Sequence, residues 1–135
     1  MPMRYSLTLL ILTLTLVGGC ERVDDKRVVV ARQWLRAIDH GEFNAIWESS
    51  ADYFKGQLDR DEWFLSLERA IEERGMVKSR NLIGCSAKPG FSNGPDAEYS
   101  VCAFVSVYVL RPEGVVETVT LVRADHWKVI HYVVN

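Results

Sequence analysis

The chain has 135 residues, with 16 Lys and Arg against 18 Asp and Glu, a formal charge of −2 at neutral pH. That length has room for a single domain, and a near-neutral, slightly acidic balance lacks the electrostatic footprint of a nucleic-acid-binding protein. There is no internal repeat and no low-complexity segment.

The first stretch reads as a targeting signal. Arg4 supplies a basic charge, Leu7 to Val17 is an apolar run, and the small residues Gly18 and Gly19 precede Cys20. Such an uncharged run, interrupted only by threonines, is too short to span a bilayer core of roughly 30 Å, which takes about 20 helical residues, but it suits the apolar centre of a secretory signal. Val17-Gly18-Gly19-Cys20 resembles the lipobox of bacterial lipoprotein signals. The resemblance implies cleavage before Cys20, a diacylglycerol on its thiol and an acylated new N-terminus. Two or three chains hold where one is marginal, since each buried methylene contributes about 0.8 kcal/mol. The alternative is an ordinary secretory signal with an incidental cysteine. Glu21 stands where an aspartate would, by the same resemblance, favour inner-membrane retention, so the outer membrane is preferred. The expected division is a signal over 1–19, a lipidated tether over 20–25 and one domain over 26–135.

From Lys26 the apolar residues Val30, Ala31, Trp34, Leu35 and Ile38 recur at helical spacing, and Gly41 stops this first helix. A second helix over Glu42 to Lys55 carries Phe43, Ile46, Trp47, Ala51 and Phe54 as one stripe and ends at Gly56. A third begins at Asp59, with Glu62 completing a capping box, buries Trp63, Phe64, Leu67, Ala70 and Ile71, and ends at Gly75. The pattern then becomes extended. A strand lies within Met76 to Lys88, and the Pro and Gly cluster from Pro89 to Pro95 is a turn. Glu98 to Leu110 is a long β-branched and aromatic strand, Arg111 to Gly114 turn the chain, and Val115 to Arg123 and Trp127 to Val134 form a last hairpin. The expected class is α+β: three N-terminal helices packed on a curved, cone-like, four-stranded antiparallel meander. Strict alternation along the last hairpin puts Trp127, Val129 and His131 on one face and Lys128, Ile130 and Tyr132 on the other. Both faces are about half apolar, so the convex one suits cover by a second copy.

Cys85 and Cys102 fall directly opposite if the turn near residues 93 and 94 closes a hairpin. In an oxidising compartment a disulfide is expected there; the alternative is two buried thiols acting as small apolar side chains.

The segments Ala31-Arg32-Gln33-Trp34-Leu35 and Asp39-His40-Gly41-Glu42-Phe43, with Trp47, Trp63, the run Glu117 to Val122, Trp127-Lys128-Val129 and Tyr132, resemble the bacterial domain-of-unknown-function family 4019. The resemblance spans about Val28 to Asn135. His131 departs from it, standing where a glycine is common. The order of helices and strands is also similar to the nuclear-transport-factor-2-like cone, a scaffold that hosts isomerases, dehydratases and plain binding domains, among which fold analogy cannot choose.

The chemical candidates are sparse. The histidines His40, His126 and His131 have no metal-site spacing, so no metal is implied, and no hydrolase, P-loop or dinucleotide fingerprint calls for a cofactor. His40 suits a helix end and His126 a turn, while His131 is the catalytic candidate if its face is concave, as a general base near neutral pH. Asp39 is placed to bond the backbone of residues 41–43, and Asp52, Asp96 and Glu117 have no partner that the sequence names. Trp34, Trp47, Trp63 and Trp127 are core aromatics and the candidates for lining an apolar ligand pocket. The preferred reading is a membrane-anchored, periplasm-facing lipoprotein that binds an envelope protein or a small apolar ligand without catalysis. The alternatives are a cone-fold isomerase or dehydratase using His131 or a nearby acid, and a dimeric envelope structural subunit.

Overall fold

In the computed structural model residues 25–135 are described; the expected signal over 1–19 and the expected lipidation at Cys20 lie outside them. Helix α1, Lys26–Asp39, starts at Asp25, whose side chain accepts from the Arg27 N–H and caps the first turn. The Arg27 guanidinium returns to the same carboxylate at 2.7 Å and also donates to the Ser100 hydroxyl, fixing the helix start against a strand. Ala31, Trp34, Leu35 and Ile38 form its buried stripe, as their spacing requires.

The second expected helix is two. Helix α2 is Phe43–Ser49 and α3 is Asp52–Gly56, separated by Ser50 and Ala51 in extended conformation. The apolar stripe runs through the break, which is why periodicity alone does not reveal it. Two tertiary bonds hold the break open: the Ala51 N–H donates to the Val129 carbonyl at 2.8 Å, and the fully buried Ser50 hydroxyl accepts from Trp34 Nε1 at 3.0 Å. The Ser50 hydroxyl itself donates back to the Ile46 carbonyl at 2.6 Å, competing with the helical ladder. Helix α4, Arg60–Arg74, is capped by Asp59, which accepts from the Glu62 N–H, and ends at Gly75, whose φ of 74° favours glycine.

Strands β1 (Val77–Lys88), β2 (Glu98–Tyr108), β3 (Arg111–Arg123) and β4 (Trp127–Val134) form one antiparallel sheet in the order β1-β2-β3-β4. The α+β class, helices first and meander after, is as the sequence indicates. Cys85 and Cys102 are register partners and are joined by a disulfide.

Two expectations about the strands need correction. The β2–β3 connection is not Arg111 to Gly114 but Val109 and Leu110, with Tyr108 paired to Arg111. The N–H groups of Val109 and Leu110 donate to the carbonyls of Met76 and Arg74, each at 2.8 Å, so the turn is tied to the end of α4. Gly114, at φ 82°, instead sits in β3 where the β2–β3 register shifts. In β4, Thr120 pairs with His131 while Leu121 pairs with Val129, leaving Ile130 as an extra residue. That bulge reverses the alternation beyond it. Trp127, Val129 and Tyr132 pack with the helices, and His131 is exposed on the opposite side.

The main core joins Trp34, Leu35 and Ile38 of α1 to Cys102, Phe104, Val119, Leu121 and Val129 of the sheet. A smaller cluster of Ala51, Tyr99, Val122 and Ile130 is closed by Tyr53, Phe91 and Ala97. Phe91, from the β1–β2 connection, stacks on Tyr53 at 5.8 Å.

Candidate binding pocket and buried charge cluster

Glu117 occupies an inward position of β3 between apolar neighbours, and its side chain is 1% exposed. A lone buried carboxylate is costly, so this position demands partners, and the fold supplies them from three strands and one helix. Arg80 on β1 donates from Nε and Nη2 to Glu117 Oε1 at 3.1 and 2.9 Å. The Tyr108 hydroxyl donates to Oε1 at 2.9 Å, and the Tyr132 hydroxyl donates to Oε2. Arg80 also binds Asp39 at the end of α1, Nη1 to Oδ2 at 2.6 Å and Nη2 to Oδ1 at 3.1 Å. Arg74, the last residue of α4, completes the set with Nη1 at 3.2 Å from the Tyr132 hydroxyl and 3.8 Å from Glu117 Oε2.

The electrostatics follow from this geometry. Burial by itself would raise the Glu117 pKa, but the Arg80 charge and hydrogen bonds from Ser106, Tyr132 and Tyr108 bring it below its ordinary value. Burial and the Glu117 charge push the Tyr108 phenol up to about 12 and drive Tyr132 upward as well. Burial opposes the Arg80 cation, yet the Asp39 and Glu117 carboxylates more than offset it. Asp39 and Glu117 are thus matched by Arg80 and Arg74, and the cluster is charge-balanced.

A pocket of about 270 Å³ opens over one side of this cluster. Ile38, Ile71, Met76 and Val77 form apolar walls, and Asp39, His40, Arg74 and Tyr108 supply its polar lining. Arg80 and both carboxylates are spent on one another. Arg74 differs: only its Nη1 donates to a protein acceptor among the described residues, leaving Nε and Nη2 open.

The residues singled out in the sequence are not gathered at this site. His131 is exposed, lies 6.0 Å ring to ring from Phe91, and borders a separate hollow with Tyr53, Phe54, Gln57, Leu58 and Ile130 that contains no carboxylate. Trp34, Trp63 and Trp47 form a continuous aromatic pile, with centroids 6.2 and 5.7 Å apart. Trp127 makes no ring contact with the pile; it belongs to the same core as Trp34 and lines with it a groove along α1, α2 and β4. His40 caps the end of α1 and reaches the pocket rim. Asp39 serves Arg80 rather than the backbone of residues 41–43.

Arg80, Arg74 and Tyr108 are the members the sequence reading misses. The available signal is Glu117 itself: an acid on the apolar side of an alternating strand calls for an inward-facing base and hydroxyls on neighbouring strands. Among the described residues no group of three metal-ligating side chains is assembled.

A family model described as a protein of unknown function (DUF4019) matches residues 30–132. Neither a curated protein nor a solved structure matches the chain.

Proposed function

Since the chain belongs to the DUF4019 family of proteins of unknown function, we propose, on that premise, that it is a lipid-anchored cell-envelope domain that binds a small ligand and performs no chemistry on it. One observation carries the binding part of this reading: Arg74 lines an apolar-walled pocket with two guanidinium nitrogens that bond no protein acceptor among the described residues, while Arg80 and both carboxylates are spent on one another. Pockets that bind small molecules combine apolar walls with few, well-placed polar groups. An isomerase or dehydratase would need a base free to take a substrate proton. Glu117 is sealed under two arginines and two tyrosines, and His131 faces away from the pocket with no acid lining its own hollow.

The anchoring part rests on the Val17-Gly18-Gly19-Cys20 pattern after an apolar run. Incorporation of labelled palmitate, compared between the wild-type protein and Cys20→Ser, tests it. Label on the wild type alone, in the membrane fraction, supports a periplasm-facing lipoprotein; equal labelling or none contradicts it. The outer membrane is the preferred location, from Glu21 after the cysteine.

A second reading, a homodimer, is favoured by the sheet face turned away from the helices. Val101, Ala103 and Val107 of β2, Val116 of β3 and Val133 of β4 are only partly covered there, and Val105 is 38% exposed. Sedimentation velocity over a range of concentrations tests it, a concentration-dependent dimer being the expected result and a monomer throughout the contrary one.

A further inference from the structure

We propose that the Arg74 pocket selects a small amphipathic monocarboxylate, its carboxylate on the open edge of Arg74 and its alkyl or aryl body against Ile38, Ile71, Val77 and Met76. This rests on the binding reading above and names the ligand class.

The hydrogen-bonding capacity left over on the charged side chains of the pocket is donor capacity. Several carbonyls of the helix ends that meet there are occupied: those of Arg36, Ala37 and Ile38 accept from His40, Glu42 and Gly41, and those of Ile71 and Arg74 accept from Gly75 and Leu110. Both oxygens of Asp39 are taken by Arg80. Of the charged groups that form the cluster, Arg74 alone keeps side-chain capacity unfilled, at Nε and Nη2, two adjacent donors on one edge of a planar fork, the arrangement that a carboxylate fills with two parallel hydrogen bonds. Nη1 is fixed by the Tyr132 hydroxyl at 3.2 Å, and the guanidinium lies 5.4 Å from the Tyr108 ring centroid, so the fork is held before a ligand arrives.

The size and surroundings set the rest of the ligand. At about 270 Å³ the pocket is smaller than the range typical of drug-sized ligands. Its rim continues into exposed apolar surface, with Met76 79%, Val109 52% and Leu110 58% exposed. Large apolar side chains at a hairpin turn are unusual, because turns favour Gly, Asn, Asp and Pro. The rim therefore extends the apolar wall outward, which suits a carboxylate with a short hydrocarbon body rather than a compact polar anion.

The test uses the full-length protein in lipid nanodiscs, with empty nanodiscs as the reference, titrated calorimetrically with hexanoate, hexanol and hexylamine. Saturable hexanoate binding is expected, with hexanol and hexylamine weaker. Because Arg74 also supports Tyr132, the deciding variants are at the exposed Met76. Met76→Glu should weaken hexanoate by about fivefold through charge repulsion, and Met76→Lys should strengthen it. Arg74→Gln should abolish binding where the protein remains folded. Binding of hexanol or hexylamine as tight as hexanoate, with no effect of charge at position 76, overturns the carboxylate assignment and leaves the pocket as a binding site. Absence of binding by all three probes overturns both.

Discussion

Arg80 holds Asp39 through two hydrogen bonds of 2.6 and 3.1 Å, joining the edge strand β1 to the C-terminal end of α1. The same guanidinium reaches Glu117 on β3, so one side chain ties the sheet's edge, its interior and the first helix together.

Arg80→Met is expected to destabilise the fold by about 3–5 kcal/mol, because it leaves two mostly buried carboxylates without their cation. Urea unfolding followed by tryptophan fluorescence measures this. A loss under about 1 kcal/mol would show that Arg80 is a surface-like pair, which its 10% side-chain exposure argues against.

Stability should fall on both sides of neutrality, through different groups. Glu117 has a lower pKa folded than unfolded, so its contribution is complete above its ordinary value of 4.5 and is lost as pH drops below that. Tyr108 has a higher pKa folded than unfolded, so its contribution is present below 10.0 and is lost as pH rises from there through about 12. Glu117→Gln should flatten the acid limb of the curve and Tyr108→Phe the alkaline limb. Unchanged limbs in these variants would mean that other groups set the pH response.

Reduction of the Cys85–Cys102 disulfide, which links residues 17 apart in sequence, should cost about 3 kcal/mol in the chain-entropy description. Paired urea curves with and without reductant give the number. Coincident curves would place the cross-link outside the cooperative unit, against the complete burial of Cys102 in the main core.

Ala51→Pro isolates the bond that splits the helical stripe. Ala51 has φ −65°, which proline adopts, so the change removes the N–H bond to the Val129 carbonyl and sets a ring carbon against that oxygen. A destabilisation of about 1–3 kcal/mol is expected. A stabilised variant would indicate that the bond adds nothing beyond the chain stiffness that proline introduces.

Periodicity carried much of the fold into view, for physical reasons that also mark its limits. The α1 stripe, the capping residue Asp59 and the pairing of Cys85 with Cys102 are local or near-local patterns, and each stands where the spacing puts it. The break at Ser50 and the extra residue at Ile130 are tertiary: each depends on a neighbouring element taking or displacing a hydrogen bond. Since strand alternation has a period of two, the Ile130 bulge alone moved His131 to the other side of the sheet. The pocket was least legible. Arg74 and Arg80 stand in sequence among charged and polar residues that face solvent, and only the fold brings both against Glu117.

The most direct measurement is native mass spectrometry of the protein extracted from cell envelopes, wild type beside Met76→Glu. A small-molecule adduct on the wild-type chain, diminished in the variant, is the expected result. Bare chain masses for both proteins would contradict the assignment of the Arg74 pocket as a ligand-binding site.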